Sequence, residues 1–382
     1  MKKSLTKIVL VNFLVFFVAI LVVEIFFGHW FASHNFGPYM REHRLKKNPS
    51  VLLYDNSKYS YVYKRNYHGF RGDEIDPSQI EAVIIGGSTT DERYKPYELT
   101  ITSNLNSLLK KNGYNFKITN AGIEGQSTFG HIYNFKHWFP KLKNFSPKLY
   151  IFYIGINDYS FKPEQNNKKN KSLGDGHVKN SEALEVFGDI FKSSSFFYDK
   201  MRMLKQKYYL TSKTHVYDHD AYLKTIKNFK YRNYKELLEL YDVEKLKVKH
   251  KIIISNYLDR VKTLNDYVKK ENSTAVFINQ VLPNGNDLEK FFILNHSLIE
   301  YCKDVNMNCI DLASKLNGKF NYWYDTVHTT GLGSKVIAEI VIDDLVKIIK
   351  KKKIVLTSNR DREYEFHEAG GCEGAFCCQA PL

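Results

Sequence analysis

The residues able to do chemistry fall into four short blocks. The first is Ile84-Ile85-Gly86-Gly87-Ser88-Thr89-Thr90-Asp91. An apolar run ends in two glycines and delivers a serine just beyond it. The glycines allow a tight turn and a close backbone approach. A hydroxyl in such a place becomes a nucleophile when a base lies beside it; an ordinary Gly-Ser turn has the same composition. Two other chemistries are excluded. No G-x-x-x-x-G-K-[ST] phosphate loop exists, and Thr90 stands where the G-x-S-x-G nucleophile elbow needs its last glycine.

The second block is Asn120-Ala121-Gly122-Ile123-Glu124-Gly125-Gln126-Ser127. There Gly125 can present a backbone N–H. The third, Gly155-Ile156-Asn157-Asp158, follows a strongly apolar run. Asn157 can aim its side-chain N–H₂ into a cleft or serve as a turn residue bonded to its own backbone. The fourth is Asp325-Thr326-Val327-His328. A carboxylate three residues before a histidine can hold Nδ1–H and leave Nε2 as a general base. The same pair can equally lie on a solvated surface.

These blocks need elements to position them. Apolar runs at 82–85, 116–119, 149–154, 276–281 and 309–312 predict strands. Helical spacing at Leu105, Leu108 and Leu109 predicts a helix within 97–112, with Pro96 before it and Gly113 after. A final helix is expected over 332–350. Strands alternating with helices predict a three-layer α/β/α sandwich around a mostly parallel sheet. Three blocks then follow strands and the fourth precedes a helix. All four come to one sheet edge, the carboxyl edge, where open α/β sheets place ligands.

Ser88, Gly125, Asn157 and the Asp325–His328 pair, in that order, resemble the SGNH hydrolase superfamily, also called GDSL esterases and lipases. The likeness covers about 80–160 and 250–350. Gly87 replaces the Asp of the literal GDSL string, and the GGSTT form looks like a branch of bacterial, often membrane-anchored members. The resemblance implies acyl transfer without metal or organic cofactor. Ser88 would attack an ester carbonyl, His328 would take its proton, and Asp325 would orient the imidazole. Ser88 and Gly125 amides with the Asn157 side chain would form the oxyanion hole. O-acetyl groups on a cell-surface glycan or lipid are the implied substrates. An O-acyltransferase using the same triad, and a non-catalytic glycan-binding or assembly protein, are the alternatives.

The remainder of the chain bears on location. Residues 8–27 are almost continuously apolar, interrupted only by Asn12 and Glu24. Twenty helical residues span roughly the 30 Å of a bilayer core. Trp30 and Phe31 follow as an aromatic belt would, and Lys2, Lys3 and Lys7 precede. An uncleaved single-pass anchor is expected, with the following domain outside the cytoplasm; a cleaved signal peptide and a buried core helix are the competing readings. The expected organisation is an anchor over 1–30, a connecting region over 31–80 and the hydrolase domain over 81–350. A Lys-, Asn- and Tyr-rich helical insertion occupies 161–250, and a tail 351–382.

The 56 Lys and Arg against 41 Asp and Glu leave a net charge of +15. That suits anionic headgroups or an acidic polymer. No nucleic-acid module is visible, and the Lys350 to Lys353 run fits a helix C-terminus. His215 and His219 could share a metal on a helix, but no third ligand stands nearby. Cys302 and Cys309 could form a disulfide or remain as two buried thiols. The tail holds three of the five cysteines and departs in composition from the body, so it is set aside from fold and function.

Overall fold

The computed structural model describes residues 2–28, 30–31, 44–47, 61–66, 68–159, 191, 194–201, 204, 231–283 and 288–352. The expectations for His215, His219, the cysteine-bearing tail and much of the 161–250 insertion lie outside these residues.

At the centre is a parallel sheet of five strands: β3 (Ala82–Gly86), β4 (Ile118–Asn120), β5 (Leu149–Ile154), β6 (Thr274–Asn279) and β7 (Cys309–Ile310). Their spatial order is β4-β3-β5-β6-β7, and every adjacent pair runs parallel. The order reverses between β3 and β5, which creates a crevice at their carboxyl ends. The strands read as continuous apolar runs because both faces are covered. Ala82, Ile84, Leu149, Ile151, Val276 and Ile278 pack on one side. Val83, Ile85, Tyr150, Phe152, Ala275 and Phe277 pack on the other. This period-2 split is the pleat itself.

The first side is covered by α3 (Ile101–Lys111) and α10 (Gly331–Lys351), through Leu105 and Leu109 against Ile337, Val341 and Leu345. The second is covered by α4 (Thr128–His137), α7 (Lys251–Lys270) and α8 (Leu288–Asp304). Phe135, Trp138, Tyr257, Val261, Leu264 and Leu298 fill it. Each such side chain contributes about 1.5–3 kcal/mol of burial. Among the shorter helices, α5 (Tyr234–Leu240) and α6 (Val243–Lys249) lie in the span read as an insertion, and α9 (Leu312–Lys315) follows β7.

Element boundaries shift where capping outweighs apolarity. Thr100 caps α3 by accepting from the Ser103 amide, so residues 97–99 form a separate 3₁₀ turn. Asp311 accepts from the Ser314 amide and starts α9, cutting the last strand to two residues. Phe116 is buried in the core but precedes β4.

A separate antiparallel pair, β1 (Arg44–Lys47) with β2 (Tyr61–Lys64), precedes the sheet. Residues 61–72 then pack onto the sheet edge, where the Arg71 amide donates to Asn120 O at 2.9 Å. Phe70 and Arg71 of this stretch thus pack with the sheet. Helix α1 (Lys2–Phe27) contains 21 residues, Lys7–Phe27, long and apolar enough to cross a membrane; a signal sequence has the same properties. Cys302 of α8 and Cys309 of β7 form a disulfide.

Candidate active site

Strand β3 ends at Gly86, and α2 (Ser88–Asp91) starts at once with Gly87 as its cap residue. A Cβ on Gly86 would fall 2.0 Å from Thr90 Oγ1, and one on Gly87 would fall 2.2 Å from Asn157 Nδ2. A Cβ on Gly86 would also meet the Tyr153 carbonyl at 2.6 Å, so a side chain is barred there by close approach; one on Gly87 would displace the Asn157 amide. Ser88 is the first residue of α2. The first amides of a helix have no acceptor within it, and Ser88 N–H is one of these.

The His328 loop comes from the opposite end of the sequence. Tyr324 N donates to His328 O at 3.0 Å, Thr330 N donates to Tyr322 O at 2.8 Å, and the Tyr324 ring stacks on the imidazole. Asp325 Oδ1 accepts from the Val327 amide at 2.8 Å and the His328 amide at 2.5 Å. Its other oxygen lies 2.6 Å from His328 Nδ1. A carboxylate only accepts, so Nδ1 carries the proton and Nε2 is the acceptor. Nε2 lies 2.8 Å from Ser88 Oγ. The Asp325 and His328 side chains are mostly buried but not sealed, at 16% and 22% exposed.

Asn157 follows β5 across the crevice. Its Nδ2 donates to Gln126 O at 2.8 Å. A primary amide has two N–H groups, so one remains. Gly125 occupies the same turn with φ 74°, and Gln126 N closes that turn onto Ile123 O at 3.1 Å. Ser88, Asn157 and the 123–126 turn thus meet around Gly87. All five residues singled out from the sequence lie in this one region.

Other residues of the site carry no signal in the sequence. Gln280, just past β6, donates to Thr89 Oγ1 at 2.7 Å and Tyr153 O at 3.1 Å, and accepts from the Ile156 amide at 2.7 Å. One side chain thereby ties the serine turn to the asparagine turn. Asn120 donates to Thr90 O at 2.7 Å and accepts from the Gly122 amide at 2.8 Å, joining the first two blocks.

Two charged clusters support α2 from behind. Asp91 is fully buried and accepts from Tyr63 Oη at 2.8 Å and from Arg65 Nη2 at 3.2 Å. The Arg71 guanidinium caps Asp91 O and donates to Lys95 O at 2.7 Å. Burial pushes the Tyr63 phenol up, against the pull of Arg65. In the second cluster, Lys95 Nζ donates to Glu92 Oε1 at 2.5 Å and to Thr329 Oγ1 at 3.2 Å. Ser334 Oγ also donates to Glu92 Oε1, at 2.6 Å. Burial pulls the Lys95 ammonium below its ordinary value although Glu92 favours its charge. This pair binds the end of α2 to both flanks of the Thr330 cap, immediately after His328.

Asp158, next to Asn157, accepts from Thr128 Oγ1 at 2.5 Å and from Arg260 Nη2 at 3.3 Å. Burial raises its carboxyl, with Arg260 working in the opposite direction. Among the described residues no group of three or more His, Cys, Asp or Glu could hold a metal ion.

No family model and no curated protein matches this chain. Solved structures overlap with it in part. TesA shares 10% identity at a TM-score of 0.40, covering 70% of this chain and 98% of that one. A member of the lipolytic protein G-D-S-L family from Veillonella parvula shares 13% at 0.38, covering 69% and 97%. An acetyl-xylooligosaccharide esterase from Geobacillus shares 12% at 0.38, covering 69% and 93%. Overlap at this level says nothing of chemistry, which has to come from the side chains.

Proposed function

We propose that this chain is a membrane-anchored serine esterase that removes O-acetyl groups from a cell-surface glycan or lipid. The observation that carries the reading is the continuous hydrogen-bonded line from Asp325 through His328 to Ser88 Oγ, at 2.6 and 2.8 Å. A serine hydroxyl within bonding distance of an oriented imidazole is the arrangement nucleophilic acyl transfer requires.

In this mechanism Ser88 Oγ attacks the ester carbonyl carbon as His328 Nε2 takes the hydroxyl proton. Asp325 holds the imidazole and stabilises its cation. The carbonyl oxygen becomes an oxyanion against the Ser88 amide, the spare Asn157 N–H and the backbone of the Gly125 turn. His328 then returns the proton to the departing alcohol oxygen, leaving an acyl-serine. Water, deprotonated by the same imidazole, attacks that acyl group; the bond to Oγ breaks as His328 returns the proton to Ser88, and the acid leaves. Preorganised donors lose little energy to reorganisation as charge develops.

Location supports an external substrate. Lys2, Lys3 and Lys7 precede the span and favour a cytoplasmic amino terminus. The Cys302–Cys309 disulfide suits an oxidising compartment. Net charge of +15 would draw a polyanionic glycan or an anionic lipid surface.

The test is labelling of the full-length protein by a fluorophosphonate probe, with acetate release from an acetylated polysaccharide measured in parallel. Labelling is expected in the wild type and lost in both Ser88→Ala and His328→Ala. Label that persists in Ser88→Ala refutes the assignment.

A further inference from the structure

Glu24 is the one carboxylate in the apolar run of α1, and it is 9% exposed. Its partners lie far away in sequence. Ser195 Oγ donates to it at 2.6 Å, and the Phe196 and Phe197 amides donate at 2.9 and 3.1 Å. The Trp30 indole N–H adds a bond at 2.9 Å. Around this point the Phe27 ring packs on Phe196 at 5.6 Å, and Trp30 meets Phe191 edge-on at 5.9 Å. The end of α1 is therefore a dock for the segment around Ser195.

From that dock the backbone is helical over 196–201 and again at 204. Phe197, Tyr198, Met201 and Leu204 recur at helical spacing, and they are 40%, 37%, 65% and 62% exposed. Large side chains of this kind seldom face water as a continuous stripe. Lys200 lies over the Phe196 ring at 5.2 Å, and the sequence adds Arg202, Lys205 and Lys207 against a single acidic Asp199. Aromatic, Met and Leu side chains on one face with basic residues between them are the composition of an interfacial helix. Long cationic side chains can reach headgroups while their stems stay on apolar surface.

We propose that residues 194–201, with Leu204, form a second contact with the membrane, lying in the lipid interface beside α1. Phe197, Tyr198, Met201 and Leu204 enter the boundary between headgroups and acyl chains, and Lys200 meets anionic phospholipid headgroups. The occupant is lipid because the stripe starts where Phe196 and Phe191 pack on Phe27 and Trp30, at the end of the apolar run Lys7–Phe27 where an aromatic belt would lie. The inference rests on α1 remaining in the membrane as an anchor. Its consequence is that Glu24 fixes where the second contact starts, so that the domain meets the bilayer at two points.

The experiment uses the full-length chain in nanodiscs of phosphatidylcholine and phosphatidylglycerol, doped with a phospholipid bearing a diazirine on its acyl chain. After irradiation, adducts are mapped by peptide mass spectrometry. Adducts are expected in both 8–27 and 191–204. The double variant Met201→Asp/Leu204→Asp should lose at least ten-fold of the 191–204 signal and keep that of 8–27, with unchanged thermal melting. Adducts confined to 8–27 overturn this inference and leave the anchor standing. Adducts in neither stretch overturn the anchor as well.

Discussion

Asp325 uses both carboxylate oxygens, one for the turn and one for the base. Oδ1 gathers the Val327 and His328 amides while Oδ2 faces Nδ1. The three-residue spacing visible in the sequence is thus a turn that also orients an imidazole. Asp325→Asn keeps the size but can present an N–H to Nδ1, which favours the wrong tautomer; a fall in kcat of about 10⁴-fold is expected. Ser88→Ala should cost on the order of 10⁴-fold or more, measured by acetate release. In the proposed mechanism Asn157→Ala removes one oxyanion donor, so kcat should fall about 10²–10³-fold with KM little changed. These residues were legible because each follows a strand or precedes a helix within a short polar block. Gln280, Glu92 and Lys95 were not. Asp-Glu-Arg-Tyr-Lys reads as a solvated loop, and only tertiary packing makes its Glu and Lys an internal ion pair.

At the scale of elements, the serine turn and the histidine turn are joined through Glu92 and Lys95. Breaking a buried pair by removing one partner leaves an uncompensated charge, which typically costs about 3–5 kcal/mol. Lys95→Met is therefore expected to destabilise by about that much, and Lys95→Met/Glu92→Leu by less. Denaturant unfolding of the three proteins measures both; equal losses in the single and double variants would remove the ion pair from the account. The five strands and the last helix were readable from apolar runs alone, because both faces of a parallel sheet are covered. Their ends were not, since Thr100, Asp311 and Thr330 decide by side-chain capping where helices begin. The parallel order β4-β3-β5-β6-β7 is a property of the crossovers, which no local pattern records.

Across the whole molecule, one buried histidine is expected to contribute to the acid response. His131 is buried on α4 with Nδ1 3.3 Å from Gln126 Oε1, and burial pushes its imidazole down to about 3 from 6.5. Between those values the unfolded chain takes a proton that the folded chain refuses. Stability therefore falls as pH is lowered through this window, by about 2 kcal/mol at pH 5 relative to pH 8. His131→Gln should flatten that part of the profile, read as Tm against pH. A Tm difference between pH 8 and pH 5 that is unchanged in the variant would place the acid sensitivity elsewhere.

Tyr63, Arg65 and Arg71 lie ahead of the first strand of the five-stranded sheet, yet they stand behind the serine turn. Any soluble version made by trimming must retain Tyr61 onward. A version begun at 81 would take Tyr63 and Arg65 from the buried Asp91 carboxylate and leave it Arg93 at 3.8 Å, and it should be recovered only as inclusion bodies. A protease acting on this stretch would face the same rule: a cut after Gly72 parts Tyr63, Arg65 and Arg71 from the serine turn that they brace.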